Sequence, residues 1–122
     1  MRRKTDIAEG KGLCIGSDGS VCQGWYLKDK AYGRARYIFA NGDVFEGILI
    51  NGRMEGHGFN RFTNGDIYDG QYEAGMRSGH GVYVHSNGIR YEGGYHDDMK
   101  HGFGLVTMPD ENIFVAYFDQ GA

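Results

Sequence analysis

Asn41-Gly42-Asp43-Val44-Phe45-Glu46-Gly47 returns 23 residues later as Asn64-Gly65-Asp66-Ile67-Tyr68-Asp69-Gly70, and after the same step as Asn87-Gly88-Ile89-Arg90-Tyr91-Glu92-Gly93. The interval also reaches Asp18-Gly19-Ser20-Val21-Cys22-Gln23-Gly24 upstream and Asp110-Glu111-Asn112-Ile113-Phe114-Val115-Ala116 downstream. A second marker keeps the step: Gly10-Lys11-Gly12, Gly33-Arg34-Ala35, Gly56-His57-Gly58, Gly79-His80-Gly81 and Gly102-Phe103-Gly104. A fixed period in the twenties describes an array in which each unit is completed by its neighbours. It sets like groups in rows, whereas a catalytic centre needs unlike groups converging on one point, so the chain reads as non-enzymatic. Residues 1–7 read as a tail and residues 8–122 as the array, opening in the second half of one unit and closing in the first half of another.

Glycine decides the kind of unit. The chain holds 22 Gly against one Pro, with nine Tyr, seven Phe and one Trp at regular spacing, which is not the composition of a disordered Gly-rich segment. Glycine inside a helix costs about 1 kcal/mol against alanine, so glycines every few residues leave strands and turns. Asn41-Gly42, Asn64-Gly65 and Asn87-Gly88 predict two-residue type I′ hairpin loops, with positive φ at both positions. Around the second copy, strands are expected near Phe59 to Phe62 and Ile67 to Tyr72, followed by a longer turn from Ala74 to Gly79. The expected fold is all-β: an elongated, twisted, single-layer antiparallel meander of about ten strands, roughly 45 Å long at about 4.8 Å per strand.

Alternation along a strand puts Phe45, Gly47 and Leu49 on one face and Val44, Glu46 and Ile48 on the other. The same parity gives Tyr68, Gly70, Tyr72 and Tyr91, Gly93, Tyr95, an aromatic ladder in which glycine leaves a gap for a ring. Cys22 stands in the ring column and reads as a small core residue; with Cys14 it reads as a reduced thiol, there being no signal peptide. His57 and His80 share a column, with His101 close by, but neighbouring copies about 10 Å apart cannot share one zinc at about 2 Å per ligand. They read as polar residues of a Gly-x-Gly turn, and no metal or cofactor is expected. No copy of Gly-x-Gly carries the rest of a phosphate-loop motif.

A formal charge of −3 with mixed signs excludes a general nucleic-acid binder. Only Arg2-Arg3-Lys4 forms a basic run, and the longest apolar stretch, Ile113 to Phe118, is too short to cross a bilayer as a helix. The expectation is a soluble, cytoplasmic protein.

Tyr68-Asp69-Gly70-Gln71-Tyr72, the hairpin at Gly75, Gly79-His80-Gly81 and Asn87-Gly88 together resemble the MORN repeat, and Tyr91-Glu92-Gly93-Gly94-Tyr95 with Gly102-Phe103-Gly104 matches as well. The resemblance spans roughly residues 8 to 120. It departs at the ends, with Cys22 for the aromatic, Ala35 for a Gly, Ala116 for Gly and Val115 for the acid. It implies a protein-binding scaffold or adaptor that receives a helical or extended partner segment on a ring-lined face. It also implies two alternatives: a peripheral membrane adaptor, and a regulatory module of a larger enzyme, with placement at the cytoskeleton or a membrane.

Three residue sets follow. Phe45, Leu49, Tyr68, Tyr72, Tyr91 and Tyr95 are either simply the core of a one-layer sheet or the anchors of a partner-binding groove. Lys30, Arg53, Arg77 and Lys100 are expected in successive turns along one edge, where they are solvated charges or a contact for anionic phospholipid. Phe114, Tyr117 and Phe118 lie in a strand apolar on both faces, an edge that invites self-association, for instance as a homodimer.

Overall fold

The computed structural model describes residues 10–119, so the tail at 1–7 and the Arg2-Arg3-Lys4 run lie outside the described residues. Ten strands follow one another: β1 Gly10–Ile15, β2 Val21–Leu27, β3 Lys30–Ile38, β4 Val44–Ile50, β5 Arg53–Arg61, β6 Ile67–Glu73, β7 Met76–Val84, β8 Arg90–His96, β9 Met99–Thr107 and β10 Ile113–Phe118. Each pairs antiparallel with the next in one open sheet ordered β1 to β10, the expected meander.

Two kinds of turn alternate, and they are exchanged relative to the sequence reading. The Asn-Gly loops are three-residue loops: Gly42 N–H donates to Phe39 C=O at 2.9 Å and Phe39 N–H to Asp43 C=O at 2.8 Å, with Gly42 at φ +99°. Asn41, Asn64 and Asn87 do not take positive φ. Their side chains instead accept the N–H two residues on, at 2.9 Å for Asp43, 2.9 Å for Asp66 and 3.1 Å for Ile89. Asp18 and Asp110 do the same for Ser20 and Asn112. An Asx turn thus holds this corner, and only its last residue turns left-handed. The two-residue turns with positive φ at both positions are Lys28-Asp29, Asn51-Gly52, Ala74-Gly75 and Asp97-Asp98. The reversal expected over Ala74 to Gly79 is therefore complete at Gly75. Gly56-His57-Gly58 and Gly79-His80-Gly81 are strand, not turn, and lie where β5 and β7 bulge against their neighbours.

The core is a row of rings lying on glycine. Gly47 pairs with Gly58, Gly70 with Gly81 and Gly93 with Gly104. Phe45, Tyr68 and Tyr91 each fold back over the pair two residues downstream, so a Cβ built on Gly70 would stand 2.5 Å from both Gly81 Cα and Tyr68 Oη. On Gly81 the three nearest atoms to such a Cβ all belong to the Tyr68 side chain, its hydroxyl oxygen and two ring carbons. Each ring then meets the next edge to face: Phe45 with Tyr72 at 5.4 Å, Tyr72 with Tyr68 at 5.2 Å, Tyr68 with Tyr95 at 5.3 Å, Tyr95 with Tyr91 at 5.5 Å, and Tyr91 with Phe118 at 5.6 Å. Edge-to-face pairs of this kind add about 0.5–1.5 kcal/mol each beyond burial. The first unit breaks the rule consistently: where Cys22 replaces the ring, its floor is Gly24 paired with Ala35, whose methyl needs the room a ring would take.

Hydrogen bonds tie unit to unit at both ends of the strands, backbone to backbone at one end and backbone to carboxylate at the other. Gly52, Gly75 and Asp98 donate their N–H groups to the carbonyls of Ala31, Met54 and Arg77 at 2.9–3.0 Å. At the opposite end, Asp43 Oδ1 accepts Thr63 N–H at 2.9 Å and Asp66 Oδ1 accepts Ser86 N–H at 2.8 Å. One repeat further, Ile89 offers no side-chain acceptor and Pro109 has no N–H, so donor and acceptor are lost together.

Gly81→Ala should lower stability by about 1–3 kcal/mol through overpacking against the Tyr68 ring. In a Tyr68→Cys background, which copies Cys22 opposite Ala35, the same substitution should cost little. A urea double-mutant cycle measures the coupling, and additive costs would refute the ring-on-floor account.

Candidate partner-binding surface

Phe45, Leu49, Tyr68, Tyr72, Tyr91 and Tyr95 share one face as the parity required, but they retain only 0–6% of their surface. They form the core. A ring tipped onto glycine and capped by the next ring has no face left for a partner, so these six shape the surface without presenting it. Tyr68 Oη donates to Gln71 C=O at 2.9 Å and Tyr91 Oη to Gly94 C=O at 2.8 Å, filling the carbonyls where the strand registers shift. Burial pushes the phenols of Tyr68, Tyr91 and Tyr95 up and that of Tyr72 up to about 12, which keeps all four neutral; Tyr68 and Tyr91 donate, while the buried Tyr95 Oη has no hydrogen-bond partner among the described residues.

The basic row divides. Lys30 and Arg53 lie exposed at the strand starts, while Arg77 and Lys100 sit one position later in the period and point across the ring face, because neighbouring residues of a strand face opposite ways. Arg77 Nε donates to Asp98 Oδ1 at 2.7 Å and Nη2 to Asp98 C=O at 2.8 Å. Its guanidinium lies 5.2 Å from the Tyr95 ring centre and 5.7 Å from those of Tyr68 and Tyr83. Lys100 Nζ is 5.1 Å from Tyr91 and 5.4 Å from Phe118, and burial, with Arg77 behind it, lowers its pKa. The four cations do not form the expected edge.

The column that holds Arg77 and Lys100 holds Met54 one unit before Arg77 and Ala31 two units before it. Long cations roof the rings in the second half of the sheet; the shorter residues leave the first half uncovered. A recess of about 220 Å³ opens there, lined by Tyr37, Phe39, Phe45, Leu49 and Met54 with Arg53 at its rim. Across Met54 a second hollow of about 130 Å³ lies between Asn60, Phe62, Tyr72 and Arg77, and Asn60 Oδ1 at its wall is buried without a hydrogen bond among the described residues. Tyr37, Phe39, Met54 and Phe62 were not singled out from sequence. The signal was present: by the 23-residue step Tyr37 shares a column with Tyr83, Phe39 and Phe62 share one with His85, and Met54 shares one with Arg77.

Phe114, Tyr117 and Phe118 do not act together. Phe118 packs on Tyr91 and belongs to the core, Phe114 lies 54% exposed on the ring face, and Tyr117 lies 61% exposed on the other face against Phe103, with ring centres 4.9 Å apart. On that outer face His57 Nε2 meets Asp69 at 2.6 Å and His80 Nε2 meets Glu92 at 3.5 Å, a ladder of His–carboxylate pairs across β5–β6 and β7–β8. Cys14 is exposed and Cys22 buried, directly opposite each other across β1–β2 as free thiols.

A family model for the MORN repeat matches residues 6–21, 45–67, 68–90 and 91–113. It passes over residues 22–44, the unit in which Cys22 and Ala35 replace ring and glycine. No curated protein sequence matches the chain.

Asp66 supplies a pH test of the unit-to-unit ties. The Tyr83 hydroxyl, donating at 2.7 Å, and the Ser86 N–H hold its carboxyl below the usual carboxylate range, against an opposing push from burial. A carboxyl depressed in the folded state stabilises above its unfolded pKa, near 4, and that stability is lost as pH falls through the folded value. Asp66→Ala should therefore cost roughly 1–3 kcal/mol at pH 7 and much less well below pH 4. Urea titrations across that range measure it, with part of the acid sensitivity persisting through Asp18, whose carboxyl is also held low by Ser20.

Proposed function

Since the chain belongs to the MORN-repeat family, whose repeats serve as protein- or membrane-binding modules, we propose that it is a non-catalytic scaffold whose ring face captures a segment of a protein partner. The observation that carries this reading is the uncovered apolar recess between Tyr37, Phe39, Leu49 and Met54. A single sheet with its rings packed away has few places to bury an incoming side chain, and this recess accepts one or two apolar anchors. Arg53 at the rim favours an acidic residue beside those anchors.

Anchoring on Tyr72 and Tyr95 is the weaker form of the idea, because both are buried. Replacing either by Ala costs about 3–5 kcal/mol in cavity terms and tests folding before it tests capture. Lipid binding through a basic row has less support, since Arg77 and Lys100 are engaged over the rings.

The recess can be closed with the chain's own parts. Met54→Arg with Gly75→Asp copies Arg77 and Asp98 one unit upstream, laying a guanidinium over the opening while the sheet keeps its urea midpoint. Peptides selected by display on the unaltered chain should carry apolar anchors flanked by acid, and should bind the variant about tenfold or more weakly. Unchanged binding by a folded variant would reject the recess as the site; anionic vesicles sedimenting with the chain in a salt-sensitive way would favour the lipid alternative.

A further inference from the structure

From the two outermost strands of the described sheet, we propose that β10 of one copy pairs antiparallel with β1 of a second copy, continuing the array head to tail across the chain boundary. This surface is separate from the ring-face recess and does not depend on it.

The argument begins with phase. Each unit is a strand of the β2, β4, β6, β8 kind followed by one of the β3, β5, β7, β9 kind. By the 23-residue columns β10 is of the first kind and β1 of the second, so the strand that should follow β10 is a copy of β1. Carrying the β8–β9 register forward sets Ile113 opposite Ile15 of the second copy, Phe114 opposite Cys14, Val115 opposite Leu13 and Ala116 opposite Gly12. This register keeps the ring column and sets Gly12 in the floor, with Ala116 standing where the interior units have glycine.

The two edges are complementary at that register. Within the chain, Gly58 is pressed by two rings, Phe45 from its own unit and Tyr72 from the next. Its counterpart Gly12 is touched only by Tyr26 among the described residues, and the ring that would complete it is the one in the Phe114 column. Phe114, for its part, lacks the cap that Tyr72 gives Phe45 and Phe118 gives Tyr91; in the continued array that cap is Tyr26 of the second copy. The edge-to-face ladder that runs from Phe45 to Phe118 would pass through Phe114 into the next molecule, with the Ala116 methyl holding the Phe114 ring higher than a glycine floor does.

The outer face points the same way. Internal junctions set an acid against an apolar residue: Glu46 opposite Phe59, Asp69 opposite Val82 and Glu92 opposite Leu105. At the proposed junction both sides are apolar, and Leu13, Ile15, Ile113 and Val115 stand 60–71% exposed. β10 carries no charged residue and no proline, the usual guards of an unpaired edge. Asn112 occupies the column of Asp43 and Asp66, and Ser17 that of Thr63 and Ser86, so the corner hydrogen bond between units can also form between copies. A heterologous contact of this kind closes into a ring or grows as a filament.

Two blocked variants test it, each changing one exposed residue and each checked by circular dichroism and urea midpoint. Val115→Pro blocks β10 and leaves β1 free, and Leu13→Pro blocks β1 and leaves β10 free, because by the alternation of the ladder each residue turns its N–H to the open edge and proline has none to offer an added strand. In light scattering the unaltered 122-residue chain should gain mass with concentration, each variant alone should have the mass of one chain, and an equal mixture should reach two chains and stop. Self-association of folded Leu13→Pro alone would show β10 pairing with β10 and overturn the proposal, as would an unaltered chain that stays single at every concentration or a mixture that does not pair.

Discussion

A phenyl ring lying flat on a pair of hydrogen-bonded glycines is the contact on which this sheet depends. One layer of strands has no second layer to bury against, and a ring standing upright would leave most of its area in water. By tipping over the glycine two residues downstream and that glycine's partner on the next strand, Phe45, Tyr68 and Tyr91 use the sheet's own backbone as the opposing surface. The cost is compositional: neither floor position admits a Cβ while the ring is present. The first unit shows that the demand comes from the ring, since Ala35 is accommodated where Cys22 stands.

The same contact makes the fold local. Each ring is floored by its own hairpin and capped from the next unit, as Phe45 is by Tyr72 and Tyr68 by Tyr95. Stability therefore passes between neighbours, in the manner of a one-dimensional array. The corner ties follow the same rule, and where the chain gives up the acceptor at Ile89 it gives up the donor at Pro109. Paired substitutions of this kind are what a nearest-neighbour structure allows, because a change must be answered only one unit away.

The period, the strand count and the parity of the faces were all legible in the sequence, since each follows from spacing alone. The corners were not, because Asn-Gly serves two geometries. Asn can enter the left-handed region, or it can hold its own backbone through an Asx turn, and the Asp at positions 18 and 110 of the same column pointed to the second. The cationic row failed by one residue: grouping Lys30 and Arg53 with Arg77 and Lys100 joined adjacent columns that face opposite ways. Depth was the third gap. Parity says which face a ring takes but not that it lies down, so exposed anchors could not be told from core until the glycine pairs were seen beneath them.

If the ring columns are held by the floor, recognition has to reside in columns the floor does not constrain. The roof column runs Ala31, Met54, Arg77, Lys100, from short to long, and the flank beside it runs Tyr37, Asn60, Tyr83, Val106. Neither is needed to keep a ring on its glycines. Both change from unit to unit, and together they decide where the ring face is covered and where it is open. An array of like units distinguishes a partner only where its symmetry is broken, and here the break falls around Leu49 and Met54, where a short roof meets the one aliphatic member of the column that includes Tyr26, Tyr72, Tyr95 and Phe118. The glycines supply a rigid frame, and in the function proposed above the departures from the repeat supply the site.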